Sequence, residues 1–147
     1  MKIRVQRMDW SLKICVFTAA LALSGCSTMG MADSGKVSLS GSNEVPAVNT
    51  AASGSGTIAV AADKSVSGSV TTTGVDGKAV HIHTGAPGKN GPVIVPLTKS
   101  GDSTWSVPPG AKLSDEQYAS YQAGNLYVNV HSAANPAGEI RGQLNAK

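Results

Sequence analysis

Short runs in which apolar and polar residues alternate fill the chain from residue 37 onwards, and they constrain its fold more than any other feature. Alternation with a period of two places apolar side chains on one face of a β-strand and polar side chains on the other. Glycine, asparagine and proline separate the runs at a spacing of roughly ten residues, as in antiparallel sandwiches and barrels. We therefore predict an all-β domain over residues 37–147, an antiparallel Greek-key sandwich or barrel. The predicted strands are 37–39, 56–60, 66–72, 79–83, 92–97, 104–107, 126–131 and 139–144.

One segment, residues 114–123, has the signals of a short helix instead. Ser114, followed three positions later by Gln117, has the form of a capping box, and Gly124 suits the position just after a helix end. Tyr118 and Tyr121 then lie on one side of the helix, where we expect them to pack against the domain. The helix falls between two predicted strands and is expected to cover one end of the barrel.

The first 26 residues have the features of a secretion signal. Basic residues precede ten uncharged residues, 14–23, a length that suits a signal-peptide core but not a membrane-spanning helix. The core ends in Leu23, Ser24, Gly25 and Cys26, an order that resembles the bacterial lipobox, whose cysteine is lipidated and becomes the mature N-terminus. We therefore predict a lipoprotein signal peptide over residues 1–26 with lipidation at Cys26. The alternative is an ordinary cleaved signal, with Cys26 an incidental thiol.

Residues 27–36 are rich in serine, glycine and methionine without periodicity, which predicts a flexible tether between the lipid and the domain. Ser27 stands where lipoproteins retained in the inner membrane of some bacteria carry aspartate. The predicted location is therefore the bacterial cell envelope. There the lipid on Cys26 would attach the protein to a membrane, and the outer membrane is the expected one, with the domain facing the periplasm or the cell surface.

The formal net charge of +3 comes from the signal segment. That segment carries four of the 12 basic residues and one of the nine acids, so eight of each remain and the rest of the chain is formally neutral. No run of basic residues is left to suggest nucleic-acid binding. Both cysteines, Cys15 and Cys26, precede the predicted domain, which is therefore expected to have no disulfide.

His81 and His83 lie two positions apart in one predicted strand, so their side chains share a face. Apolar Val80 and Ile82 occupy the opposite face, which must be the one that packs in the core. The histidines are therefore predicted on the outer surface of the sheet. The strand at 126–131 follows the same pattern, and its outward face carries Tyr127, Asn129 and His131.

Three imidazoles on one polar face form a candidate metal site. The chain has no other histidine, and each histidine strand is followed by a loop that can fold over the site and shield it from water. Imidazoles without thiolates leave a coordination position open and suit copper or zinc, with Cu(II) favoured by affinity. We therefore predict one copper ion bound by His81, His83 and His131. The alternative is three solvent-exposed polar residues that bind nothing.

Four stretches of the sequence resemble the CHRD domain, a family named after chordin and widespread in bacterial secreted proteins. The resemblance covers essentially residues 37–144 and implies an extracellular or envelope domain. Because chordin is an extracellular antagonist, it also implies the main alternative to metal binding, a non-catalytic interaction module for a partner protein or an envelope polymer. The stretches are 37–46, 79–88 with 91–93, 124–132 and 135–143.

The histidine motifs are also distantly similar to those of copper-zinc superoxide dismutases, in which an outward-facing histidine pair and a later strand histidine bind copper on a Greek-key barrel. His81 and His83 match the pair, and His131 matches the later ligand. The chain lacks the bridging histidine, the zinc cluster and the disulfide of that family, so the similarity implies a copper-only relative. Dismutase-like redox activity and copper sequestration or delivery both remain open.

Two cations could serve redox chemistry at such a site. Arg141 is the only arginine of the domain, and with Lys89 it would attract an anion such as superoxide. The spacing of Arg141 from His131 differs from that of the catalytic arginine in the dismutases. Hydrolysis is not indicated, because no Ser/His/Asp or Cys/His arrangement stands out.

Other polar residues of the motifs are expected to support the site. Hydrogen bonds from Asn129, Asn135, Glu139 or backbone carbonyls would fix the histidine tautomers. Glu44 is interpreted as a structural residue that bonds backbone groups at the end of the barrel. Trp105, in an alternating run, is expected in the core.

Overall fold

The structure, a computed structural model, describes residues 33–146, and this part of the chain is mainly antiparallel β-sheet. The prediction of an all-β domain with one short helix is confirmed. The predicted signal peptide and Cys26 lie outside the described residues. The strands are β1 (Asp33–Ser40), β2 (Ser53–Val60), β3 (Val66–Thr73), β4 (Gly77–Thr84), β5 (Val93–Pro96), β6 (Thr98–Lys99), β7 (Thr104–Ser106), β8 (Leu126–Ser132) and β9 (Ile140–Leu144), and the helices are a 3-10 turn (Gly41–Asn43) and α1 (Asp115–Gln122).

The nine strands form one sheet in the order β5-β4-β8-β9-β1-β2-β3-β7-β6, with every neighbouring pair antiparallel. The connection from β3 to β4 passes from one side of β1 to the other, so the order is not that of a simple meander. Strands β5 and β6 stand at opposite ends of the order, yet only Leu97 separates them along the chain. The Leu97 N–H donates to the Val80 carbonyl at 2.9 Å. The two edges therefore meet, and the sheet is a nearly closed barrel.

The apolar residues that alternate along the strands face the inside of the barrel. Val80 and Ile82 of β4 are 0% and 1% exposed, and Val128 and Val130 of β8 are both 0% exposed. Burial of side chains of this size stabilises the fold by roughly 1.5–3 kcal/mol each. Trp105 lies in the same core cluster, as expected. The residues that alternate with these four in β4 and β8 therefore point away from the barrel interior.

Helix α1 begins where the capping-box pattern predicts. The Ser114 hydroxyl accepts a hydrogen bond from the Gln117 N–H, and the Gln117 side chain accepts one from the Ser114 N–H. Gly124, with a φ of +73°, follows the helix end. Tyr121 is buried and Tyr118 packs against the core cluster, so both tyrosines serve packing. Within residues 33–146, no helix is long and apolar enough to cross a membrane.

Strand β1 begins at Asp33, ahead of its predicted start at Val37. The added residues pair with β2, from Asp33 opposite Val60 to Lys36 opposite Thr57. The last part of the segment predicted as a tether is therefore strand. The sequence hides this, because Ser-Gly-Lys before Val37 offers no apolar alternation.

The outward face of β4, β8 and β9, which we call the covered face, is not open to solvent. Tyr127 and Asn129 are each 3% exposed and His83 is 7% exposed, although their side chains point away from the barrel interior. Loops at 85–92 and 133–139, which follow the histidine strands, shield it as the sequence indicated. A third loop, 41–52, also lies over it, and the Asn90 side chain joins two of these loops by donating to the Val45 carbonyl at 2.7 Å.

Candidate metal site

The three histidines converge on the covered face. Strands β4 and β8 are paired so that Ala79 lies opposite His131 and His81 opposite Asn129, which sets His131 diagonally next to His81. The ring centroids of His81 and His131 are 4.9 Å apart, and each lies 5.7 Å from that of His83. One ring nitrogen from each histidine lies within 4.8 Å of the other two. The structure thus brings together the three residues that the sequence singled out.

Each of these imidazoles has one buried nitrogen with no hydrogen-bond partner in the described part of the chain. The atoms are Nδ1 of His81 and Nε2 of both His83 and His131. Buried polar atoms in folded proteins are nearly always paired, because leaving one unpaired is costly. Neutral imidazole binds metals through such a nitrogen, so one ion could satisfy all three atoms together.

Backbone carbonyls fix the tautomers of two of the histidines. Nδ1 of His83 lies 2.9 Å from the Gly91 oxygen, and Nδ1 of His131 lies 3.0 Å from the Pro136 oxygen. A carbonyl oxygen only accepts, so each Nδ1 carries the proton and each Nε2 keeps a lone pair for a ligand. His81 would instead present Nδ1.

Burial lowers the pKa of His81 and of His83. For His81, loss of solvation is the largest cause, followed by repulsion from His131 and His83. For His83, loss of solvation again leads; its hydrogen bond to Gly91 opposes the shift, while His131 and Arg141 add to it. Both imidazoles are therefore held in the neutral form that binds metal, and protons compete only weakly for them at neutral pH.

The family model of the CHRD domain matches residues 36–144. The chain belongs to the CHRD-domain family. The resemblance carried by the sequence motifs is thereby confirmed. Domains of this family are typically extracellular or envelope modules. Searches of the curated proteins and of the solved structures found no significant match.

Tyr127 separates the histidines of this CHRD domain from Arg141. Its ring stacks on His83 with centroids 4.8 Å apart and planes inclined by 12°, and the guanidinium carbon of Arg141 lies 3.4 Å from the ring centroid. Because β8 runs between β4 and β9, the two groups contact opposite faces of the ring. Any attraction by Arg141 for an anion at the histidines would therefore act across Tyr127. Lys89, by contrast, is exposed on the loop after β4.

Gly91 links Tyr127 to His83. Its carbonyl accepts from His83, and its N–H donates to the Tyr127 hydroxyl at 3.1 Å. A Cβ at this position would lie 1.7 Å from the Thr84 carbonyl oxygen, so a larger residue fits only if the backbone moves. Sequence reasoning expected a backbone carbonyl to orient a histidine but did not identify Gly91, and it missed the contact with Tyr127. Tyr127 could have been found, since it shares a strand face with His131, whereas nothing in the sequence marks Gly91.

Glu44 and Asn129 form a buried pair on the covered face of the CHRD domain. The Asn129 amide donates to Glu44 Oε1 at 2.7 Å, and Glu44 is 7% exposed. Burial raises the pKa of Glu44, partly offset by the Asn129 hydrogen bond, the charge of Arg141 and the Val45 backbone. Glu44 thus bonds a side chain of β8 as well as the backbone, and it fastens the 41–52 loop.

Asn135 and Glu139 hold loops in place. Glu139 accepts hydrogen bonds from the hydroxyl of Thr50, at 2.8 Å, and from that of Ser132, which also lowers the pKa of Glu139. The Asn135 N–H donates to the Ser132 hydroxyl at 3.0 Å. Of the groups expected to fix histidine tautomers, the backbone carbonyls do so, while these side chains tie the covering loops to β8.

Proposed function

We propose that this CHRD domain binds a single copper ion through His81, His83 and His131. The observation that carries the proposal is the convergence of three buried ring nitrogens that have no hydrogen-bond partner in the described part of the chain, two of them in imidazoles whose tautomer is fixed by a carbonyl. A set of imidazoles suits copper and zinc, and Cu(II) has the higher intrinsic affinity for such ligands.

Bound copper would supply one-electron chemistry, such as the conversion of two superoxide ions and two protons into dioxygen and hydrogen peroxide. The chain would contribute three nitrogens, an open coordination position and a shielded surrounding. Lys89 and, across Tyr127, Arg141 would raise the local concentration of an anionic substrate. A copper store or carrier would use the same three ligands without turnover.

Titration of metal-free protein with Cu(II), followed by EPR, tests the site. We expect one equivalent of Cu(II) with nitrogen hyperfine structure, and a competing zinc titration ranks the two metals. His83→Gln should weaken binding by more than the roughly 10–100-fold that loss of an outer hydrogen bond costs a metal site. Gln122→Ala, at an exposed helix position, is the control. No stoichiometric signal, or one unchanged in His83→Gln, would refute copper binding here.

A superoxide assay on the copper-loaded protein separates an enzyme from a carrier. An enzyme should consume superoxide catalytically and lose that activity in His83→Gln. Tight copper binding with no more superoxide loss than an equal amount of free copper in chelating buffer supports sequestration or delivery instead.

We further propose that a lipid on Cys26 holds the domain at the bacterial cell envelope, at the outer membrane. The lipobox-like order of residues 23–26 and the typical location of the family support this. Mass spectrometry of the membrane fraction should find a lipid-modified N-terminus at Cys26, and Cys26→Ser should move the protein to the soluble fraction. Equal membrane retention of the two proteins would contradict the anchor.

A second candidate function is an interaction module that binds a partner protein or an envelope polymer. It is favoured by the outward face of β2 and β3, which we call the bare face and which offers hydroxyl groups to solvent. Under this hypothesis, replacing all three histidines leaves capture of the partner from envelope extracts intact. The bare face consists of Ser53, Ser55, Thr57, Ser69, Thr71 and Thr73.

A further inference from the structure

We propose that a second site, beside Arg141, binds a small oxyanion, of which a carboxylate such as acetate is the simplest form. The site is a cavity of 330 Å³ bounded by residues 42–45, residues 87–88, Arg141 and Gln143. The ring of Tyr127 lies between the Arg141 guanidinium and His83, so this cavity is separate from the candidate metal site. The proposal does not depend on copper binding.

Arg141 is a buried cation without a carboxylate partner. It is only 1% exposed, and within residues 33–146 no acid forms an ion pair with it. Its three hydrogen bonds go to neutral oxygens of Asn90, Ala86 and Gln143 at 3.3, 3.3 and 3.4 Å. Charge-assisted bonds to oxyanions are typically about 2.7–2.9 Å, so these three are long for a guanidinium.

The missing partner explains why an anion would bind here. A buried charge is costly unless it is paired, and the Tyr127 ring offers only a weak substitute for a counter-ion. The cavity borders the guanidinium, so a ligand oxyanion that entered it could form the fork-like pair that arginine makes with carboxylates. Its volume is at the lower end of the range for ligand pockets, which favours a ligand of few atoms.

Among the described residues that bound this cavity, Glu44 is the one acid, and its protonation state affects how well an anion is tolerated. Its Oε1 is already bonded to Asn129, and burial raises the pKa of its carboxyl group. The raised pKa favours the neutral carboxyl group and so weakens the repulsion that Glu44 would otherwise exert, while the Asn129 hydrogen bond and the charge of Arg141 partly oppose that rise. A cationic ligand is disfavoured, because the guanidinium of Arg141 borders the same space.

NMR titration of metal-free, isotope-labelled protein with acetate tests the proposal, with acetamide as the neutral ligand of similar size and sodium chloride at equal ionic strength as the salt control. We expect saturable shifts at residues 42–45, residues 87–88 and the Arg141 side chain with acetate only. Arg141→Gln should lower acetate affinity at least tenfold. Shifts that do not saturate, or that acetamide reproduces, would overturn the proposal.

A second pair of variants decides the question if Arg141→Gln does not fold. Ser42 is exposed and borders the cavity, so Ser42→Glu adds a negative charge near its entrance without touching Arg141. It should weaken acetate binding at least threefold. Ser67→Glu adds the same charge on β3 and should leave binding unchanged. Equal acetate affinity in these two variants would refute the site. Because no metal is present, the result is independent of the copper experiments.

Discussion

The strands that carry the bare face and those that carry the covered face alternate polar and apolar residues in the same way. The two faces differ in whether loops cover them. On the bare face Ser55, Thr57 and Thr71 are exposed, whereas on β8 every residue except His131 is buried. The difference comes from the loops that join β1 to β2, β4 to β5 and β8 to β9, all of which fold over the covered face. Alternation with a period of two therefore predicts which side chains point away from the core, but not which of those side chains are exposed to solvent.

The loops change the chemistry of the residues beneath them. Water would satisfy an exposed histidine or arginine, but on the covered face three imidazole nitrogens have no hydrogen-bond partner and Arg141 has no ion-pair partner among residues 33–146. In a shielded setting such groups interact more strongly with whatever can pair with them. The hydroxyl groups of the bare face are hydrogen-bonded to water, so binding a ligand would gain them little. Both proposed ligand sites therefore fall on the covered face.

The largest expected effect concerns Tyr127, which should behave as a core residue although it points away from the barrel interior. It is 3% exposed and is stacked between His83 and Arg141. Tyr127→Ala should lower the free energy of unfolding by about 3–5 kcal/mol, as for other large buried aromatic residues. Urea denaturation of the metal-free protein measures this. A loss below about 0.5 kcal/mol, the range of ordinary surface positions, would show that the loops do not make this face a second core.

The sequence predicts the strands and their faces, because burial of alternating apolar residues determines both. It also predicts the three histidines as a set, since two strands of the same pattern bring them to one side. The stack of Arg141 on Tyr127 and the carbonyls of Gly91 and Pro136 escape prediction, because they depend on loop paths. Loop paths are set by contacts between segments far apart in the chain.

The next largest effect is expected on copper affinity, because the loop after β4 positions the metal-binding His83 through the Gly91 carbonyl. In Gly91→Ala the new Cβ would lie 1.7 Å from the Thr84 oxygen, so the carbonyl that orients His83 must move. We expect copper binding to weaken by about 10–100-fold, the usual cost of losing such a bond. Gly101→Ala, in the loop between β6 and β7, is the control, because its φ is not positive and its Cβ would make only ordinary contacts, 3.5 Å and 3.7 Å from atoms of the Thr104 side chain. Isothermal titration with Cu(II) compares the two, and equal affinities would mean that the Gly91 carbonyl does not position His83.

A smaller effect is expected on stability against pH. The pKa values of His81 and His83 are lowered in the folded protein by burial. As the pH falls below about 6.5, the unfolded chain binds protons that the folded chain resists, so the free energy of unfolding decreases. This contribution is complete above that pH and is lost as the pH falls through the folded pKa values. Urea midpoints of metal-free protein, measured from about pH 8 down to pH 5.5, should show the decline.

The double variant His81→Gln/His83→Gln isolates this contribution. The raised pKa of Glu44 has the opposite effect, because it makes the folded protein bind a proton more readily than the unfolded chain as the pH falls. Glu44 is present in both proteins, so its contribution cancels when their stabilities are compared. The variant should lose less stability than the wild type over the same pH interval. Parallel curves would show that the two imidazoles are as well solvated in the fold as in the unfolded chain.

The smallest effect is expected on the bare face, at Thr71. Thr71→Val keeps the β-branched shape and removes an exposed hydroxyl group, so stability should change by less than about 0.5 kcal/mol and copper affinity should not change. The same variant bears on the interaction-module hypothesis, since capture of a partner through this face would weaken when the hydroxyl group is lost. If Thr71→Val leaves stability unchanged but reduces capture of the partner, the bare face is exposed in the free protein and is buried only in the complex. The covered face would then bind small ligands beneath its loops, and the bare face would bind a macromolecule.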